Sequence, residues 1–287
     1  MEAGIGLPST IPGVDPQAIM EWARRAEARG LAALGVIDRL VYPNYDPLIA
    51  LAAAAAVTSR IKLVTAILIM PYRATAVMAK QIASVDRLSG GRVMLGVGLG
   101  GRAEDYEAAG AATAGRGRRE GQQLEEIRRI WAGEKRGHAG GIGPEPSQKG
   151  GPVILVGGAS DAAIQRAAKH ADGWIAGGGG LEAFKAGSAK VKAAWQEAGR
   201  ASPPKFAALA YFGLGQEAID ATASFLRHYY AIAGPYAEKL VESALTSPEA
   251  IKQALTAYEQ AGCQQLLLFT GSTNPDQVDR LAEAVAA

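Results

Sequence analysis

The sequence predicts a (β/α)8 barrel, and three observations predict it. Eight short apolar runs recur along the 287 residues: GIGL (4–7), AALGVI (32–37), KLVTAILI (62–69), VMLGVG (93–98), VILVG (153–157), GWIAG (173–177), FAALAYFG (206–213) and QQLLLF (264–269). They are continuous rather than alternating, as parallel strands covered on both faces require. Helix-start signals stand between them, and the spacing averages about 36 residues per strand–helix unit, suitable for one barrel. An open doubly wound sheet is the competing arrangement, but no dinucleotide fingerprint follows the first run. With no linker-like break, the expectation is one domain over residues 1–287.

The elements follow in order. After the first run, Asp15-Pro16 pairs an N-cap with proline at the first helical position, where its missing N–H is not needed. Asp46-Pro47 opens the alanine-rich helix LIALAAAAAV, Ser247-Pro248 and Asn274-Pro275 open two more, and Ser160 opens SDAAIQRAAKHADG. Gly30, Gly90, Gly173 and Gly262 stand where left-handed C-terminal caps are expected. Residues 228–249 exceed a plain connection and predict a short extra helical segment, or lid, after strand seven.

Composition narrows the function. A net charge of +2, with 48% hydrophobic and 20% charged residues, describes an ordinary globular protein and gives no sign of nucleic-acid binding. The longest apolar stretch is about ten residues, short of the roughly 20 that cross a bilayer. The N-terminal residues lack a signal-peptide pattern, so a cytoplasmic protein is expected. A single cysteine, Cys263, and three scattered histidines argue against a disulfide or a Cys/His metal site. No Walker loop or hydrolytic triad is present.

In such barrels chemistry sits on the loops after the strands. Here those loops are rich in glycine, which lets backbone approach a large ligand closely. Gly157-Gly158 before the Ser160-capped helix, the tract Gly177–Gly180, and FTGSTNPDQ after the last strand are three candidate phosphate cradles. Asp38 ends the second strand facing the mouth. Glu104 and Asp105 are expected as a solvated helix start, Tyr229, Tyr230 and Tyr236 as an aromatic entrance, and His170 and His228 as surface or packing residues.

Residues 52–100, AAAAAVTSRIKLVTAILIMPYRATAVMAKQIASVDRLSGGRVMLGVGLG, then decide the family. The T-x-R-I-x-L entry to strand three, the lysine-bearing helix before DRLSGGR, and the LGVGLG strand resemble the bacterial luciferase-like flavin-dependent oxidoreductases. The similarity continues through REGQQLEEIRRIW, PVILVGGASDAAIQRAAKHADGWI and SPEAIKQALTAYEQAGCQQLLLF, nearly the whole chain.

The resemblance implies a luciferase-like (β/α)8 barrel binding FMN or the deazaflavin coenzyme F420. It places the flat ring against strands three and four, supported at the Ala66-Ile67 peptide by a backbone bulge, in some relatives a cis bond. Gly98 and Gly100 would admit the ring edge, Gly157, Gly158, Gly177 and Gly178 would hold the phosphate side, and Asp38 would lie close to the ring. The chain departs from many relatives in following Asp38 with Arg39 instead of histidine. A histidine acid cannot be carried over, and arginine does not give up a proton at neutral pH, so Arg39 is expected to hold an anion. Asp38 and Arg39 are thus the residues expected at the chemistry, with the three tyrosines contacting an organic substrate.

Compact length and high-GC composition favour F420 and a hydride-transferring reductase or dehydrogenase. The alternative is an FMN-dependent monooxygenase supplied by a partner flavin reductase. Outside the class, a non-catalytic flavin-binding protein predicts a closed mouth, and a sugar-phosphate isomerase needs a carboxylate and a lysine or histidine converging there. A homodimer through the helices near strands two to four is expected.

Overall fold

A computed structural model describes residues 1–286. Eight strands, β1 (Glu2–Gly6), β2 (Ala33–Val36), β3 (Lys62–Ile69), β4 (Val93–Gly98), β5 (Val153–Gly157), β6 (Gly173–Ala176), β7 (Lys205–Tyr211) and β8 (Gln265–Phe269), close into a barrel in sequence order. Every pairing is parallel, including β8 back to β1. Around it lie α1 (Pro16–Ala28), α2 (Pro47–Ala56), α3 (Thr75–Leu88), α4 (Ala103–Ala108), α5 (Arg116–Trp131), α6 (Asp161–His170), α7 (Gly180–Glu197), α8 (Gln216–Tyr229), α9 (Pro235–Glu242), α10 (Pro248–Gln260) and α11 (Asp276–Ala286). The predicted extra segment after β7 is a 3₁₀ turn, Ala231–Ala233, followed by α9.

The caps work as their chemistry requires. Asp15, Asp46, Ser160 and Ser247 each accept a hydrogen bond from a first-turn backbone N–H of α1, α2, α6 and α10. Asn274 differs: its side chain accepts from Asp276 N, and the final helix begins one residue beyond Pro275. Gly30, Gly90 and Gly262 have positive φ, as predicted. Gly173 does not cap α6, which stops at His170; it is the first residue of β6, where an added Cβ would fall 2.0 Å from Lys205 O. The glycine is there for strand approach.

Two apolar layers follow from strand alternation. Val64, Leu155, Ile175, Ala207, Leu209 and Leu267 fill the barrel interior, while Leu34, Leu63, Leu95, Ile154, Leu266 and Leu268 belong to the larger core shared with the helices. Phe269 occupies space left by Gly6: a Cβ at Gly6 would lie 2.1 Å from the phenyl ring. Both residues end their strands, so this packing fills the C-terminal end of the barrel beside β1 and β8 and leaves the open part of that end beside β3 to β7 for a site.

Candidate active site

The C-terminal mouth encloses a cavity of about 510 Å³ whose walls come from the upper parts of β3, β6 and β7, from the loops after β2, β4, β5 and β6, and from the segment after α8. Its geometry begins at β3. The β3–β4 register shifts between Thr65 and Leu68, and the Ala66-Ile67 peptide there is cis. Thr65 Oγ1 donates to Gly96 O at 2.7 Å, fixing the strand below the irregularity. Ala66 and Ile67 line the cavity. Gly98 does not: an added Cβ would meet Ile67 Cδ1 at 2.2 Å, so this glycine seats Ile67 instead of opening onto the cavity. Gly100, with φ +68°, does line it.

Asp38 is buried at the end of β2. Its Oδ2 accepts from Ile69 N at 2.9 Å and from the Tyr72 hydroxyl at 3.1 Å, and Arg73 Nη2 donates to both carboxylate oxygens at 2.9 and 3.0 Å. Burial pushes this carboxyl above the ordinary range, against the pull of Arg73 and the Ile69 N–H. The carboxylate thereby ties β2 to the backbone two residues past the β3 irregularity.

Arg39 and Asp105 form a second buried pair. Arg39 Nε donates to Asp105 Oδ2 at 3.0 Å, and Arg39 Nη2 donates to Val41 O at 2.9 Å and to Glu104 Oε1 at 3.3 Å. Asp105 Oδ1 also accepts from Leu40 N and Val41 N. The expectation of a solvated pair therefore fails for Asp105, which α4 presents inward to two otherwise unpaired amides and a guanidinium. Only Glu104 is partly solvated. Arg39, expected to hold an anion, already has two carboxylate partners.

Arg102 was missed in the sequence. It is buried, lines the cavity, donates through Nη2 to Tyr229 O, and lies 4.9 Å from the Tyr229 ring centroid. Tyr229, Tyr230 and Tyr236 line the same cavity, as expected of an aromatic entrance. The Tyr230 hydroxyl bonds that of Tyr211 at 2.7 Å, and burial pushes its pKa up to about 12. His228 is exposed and bonds Tyr42, and His170 faces Glu125, in keeping with surface or packing roles.

Two of the three glycine tracts reach the cavity. Gly157, Gly158, Gly177 and Gly178 all line it, ahead of the N-termini of α6 and α7. A Cβ added at Gly177 would meet nothing within 4 Å, so the space before α7 is open. The third tract is packed away under α8: Thr222 Oγ1 bonds Thr270 and Gly271 N, and a Cβ at Gly271 would lie 2.6 Å from Ala221 O. Gly101, Gly158 and Gly177 are exposed, so the mouth is not closed. Among the described residues neither lysine nor histidine lines the cavity, which leaves the isomerase chemistry without its partner for Asp38 or Asp105.

A flat heteroaromatic ring with a phosphate-bearing tail fits these walls. Ala66, Ile67, Ile69 and Ile175 offer apolar surface to a ring. The bare backbone at Gly177, beside a helix N-terminus, suits a phosphate.

The luciferase-like monooxygenase family model matches residues 1–287. The chain belongs to this family. An uncharacterized protein of Mycobacterium tuberculosis is 35% identical over 209 residues, covering 63% of this chain and 72% of the relative. An FMNH2-dependent dimethylsulfone monooxygenase of Pseudomonas fluorescens is 31% identical over 143 residues, covering 47% of this luciferase-like chain and 39% of the relative. An F420-dependent secondary alcohol dehydrogenase, solved with an F420–acetone adduct, superposes with a TM-score of 0.82 at 19% identity, covering 100% of this chain and 99% of that one.

Proposed function

We propose that this member of the luciferase-like family is an oxidoreductase that binds coenzyme F420 in the barrel mouth and exchanges hydride with a small organic substrate. The observation that carries the proposal is the pairing, in one cavity, of the irregular Ala66-Ile67 wall with the exposed backbone at Gly158 and Gly177. The bound deazaflavin supplies the hydride chemistry. The protein supplies a wall for the ring, amide donors for the phosphate, and Asp38 and Arg39 to hold the loops beside it. Tyr229, Tyr230 and Tyr236 are the proposed substrate side. The full-length likeness to the F420-dependent dehydrogenase supports this reading at the level of fold.

FMN is the second reading, favoured by the segment similar to the FMNH2-dependent monooxygenase. It would add a reductase partner to supply reduced flavin. Both readings include a homodimer, supported by Ile49 of α2 with Val77 and Leu88 of α3, which are large apolar side chains left exposed.

Titration of the purified protein with F420 and, separately, FMN, followed by ligand fluorescence, tests the proposal. Tight binding of F420 alone is expected. Tight binding of FMN alone transfers the assignment to the monooxygenase reading, and binding of neither overturns both.

A further inference from the structure

Of the arginines at the mouth, Arg73 faces Asp38 and Asp46, and Arg39 faces Asp105 and Glu104. Arg102 is as buried as Arg39 yet has no carboxylate within 4.0 Å among the described residues. Its one protein acceptor is Tyr229 O. Its Nε and Nη1 make no hydrogen bond to the protein and are not among the buried unpartnered atoms, so they remain open to the cavity. A guanidinium held this way carries a desolvation cost that a bound anion would offset.

We propose that Arg102 is the residue that selects the substrate, and that the substrate carries a carboxylate on an apolar or aromatic body. The inference rests on the oxidoreductase reading above and names its substrate class. A planar fork of N–H donors matches a carboxylate in two-point contact. The surroundings match the rest of such a molecule: Tyr229, Tyr230 and Tyr236 provide aromatic surface, and Ile232 and Ala233 line the same cavity. The backbone of the segment after α8 holds Arg102 in place through Tyr229 O, so the guanidinium belongs to the lid side, whereas the open amide cradles lie after β5 and β6. A cofactor phosphate is the other anion that could use these donors.

Calorimetric titration of the purified protein with benzoate and with its neutral counterpart benzamide, alongside the F420 and FMN titrations, separates these cases. Benzoate is expected to bind at least tenfold more tightly than benzamide. Arg102→Gln should abolish that preference and leave cofactor affinity within about twofold. Arg102→Lys, which keeps the charge but loses the fork, should weaken benzoate several-fold and leave benzamide unchanged. Equal binding of the two probes to the unaltered protein overturns the inference, as does benzoate affinity that Arg102→Lys leaves untouched. Loss of cofactor affinity in Arg102→Gln with the benzoate preference retained also overturns it and assigns the donors to the phosphate. An Arg102-dependent benzoate preference in a protein that binds neither cofactor would uphold the anion site and sink the cofactor reading alone.

Discussion

Arg39 Nε and Asp105 Oδ2 stand 3.0 Å apart, both side chains buried, and join the loop after β2 to the first turn of α4. The contact does more than neutralise charge, because the other Asp105 oxygen receives the amides of Leu40 and Val41. Removing one partner of such a pair leaves an uncompensated charge and two unpaired donors. Asp105→Ala is therefore expected to cost about 3–5 kcal/mol, read from chemical denaturation. Glu104→Gln, beside it but partly solvated, should change stability by less than about 1 kcal/mol. Equal effects of the two substitutions would show that the burial difference carries no energetic weight.

Glycines of the barrel separate into structural and ligand-facing kinds, and substitution distinguishes them. A methyl at Gly6 meets the Phe269 ring at 2.1 Å, so Gly6→Ala should destabilise by about 1–3 kcal/mol through overpacking. A side chain at Gly177 enters open space. Gly177→Leu should leave the denaturation midpoint almost unchanged while lowering cofactor affinity at least tenfold, measured in the same fluorescence titration. A Gly177→Leu protein that binds cofactor normally would remove this loop from the phosphate side.

The barrel was legible in the sequence because strand continuity and helix caps are local signals: Asp15, Asp46, Ser160 and Ser247 each act on amides two or three residues away. The site was only half legible. Gly98 and Gly173 read as ligand-facing and capping residues because their neighbours across the strands, Ile67 and Lys205, are distant in sequence. Asp105 read as solvated for the same reason, its partners lying 64 to 66 residues earlier. Arg102 carried no pattern at all; its importance comes from the carboxylates it lacks. Even the DRLSGGR motif turns out to be scaffold, with Asp86 receiving Ser147 N and Gln148 N, and Arg92 bonding Thr58 and Ile61 O.

The proposed homodimer makes a direct prediction. If α2 and α3 meet their counterparts in a second copy, Ile49→Glu with Val77→Glu places charge in the contact. Sedimentation should then show a monomer for the double variant and a dimer for the unaltered chain. The unaltered chain sedimenting as a monomer would remove the dimer from the proposal.

Glu27 gives a prediction about acid stability. Its carboxylate accepts from the backbone N–H groups of Ser59, Arg60 and Ile61 and from Ser59 Oγ, clamping α1 to the entry of β3. Burial would raise its pKa, but these donors outweigh burial and hold it at about 2, below the ordinary 4.5 of a free glutamate. Because the folded value lies below the unfolded one, the ionised clamp contributes fully above about pH 4.5, the ordinary range of a free glutamate. Its contribution fades as pH falls toward 2. Hydrogen bonds to a charged group in a half-exposed setting suggest about 1–2 kcal/mol. Glu27→Gln should therefore be less stable than the unaltered protein by that amount at pH 7, with the two denaturation curves converging as pH drops from 4.5 toward 2. A gap that stayed constant across this range would mean that packing at the α1–β3 junction, and not the charge of Glu27, holds the entry of the strand that shapes the cavity wall.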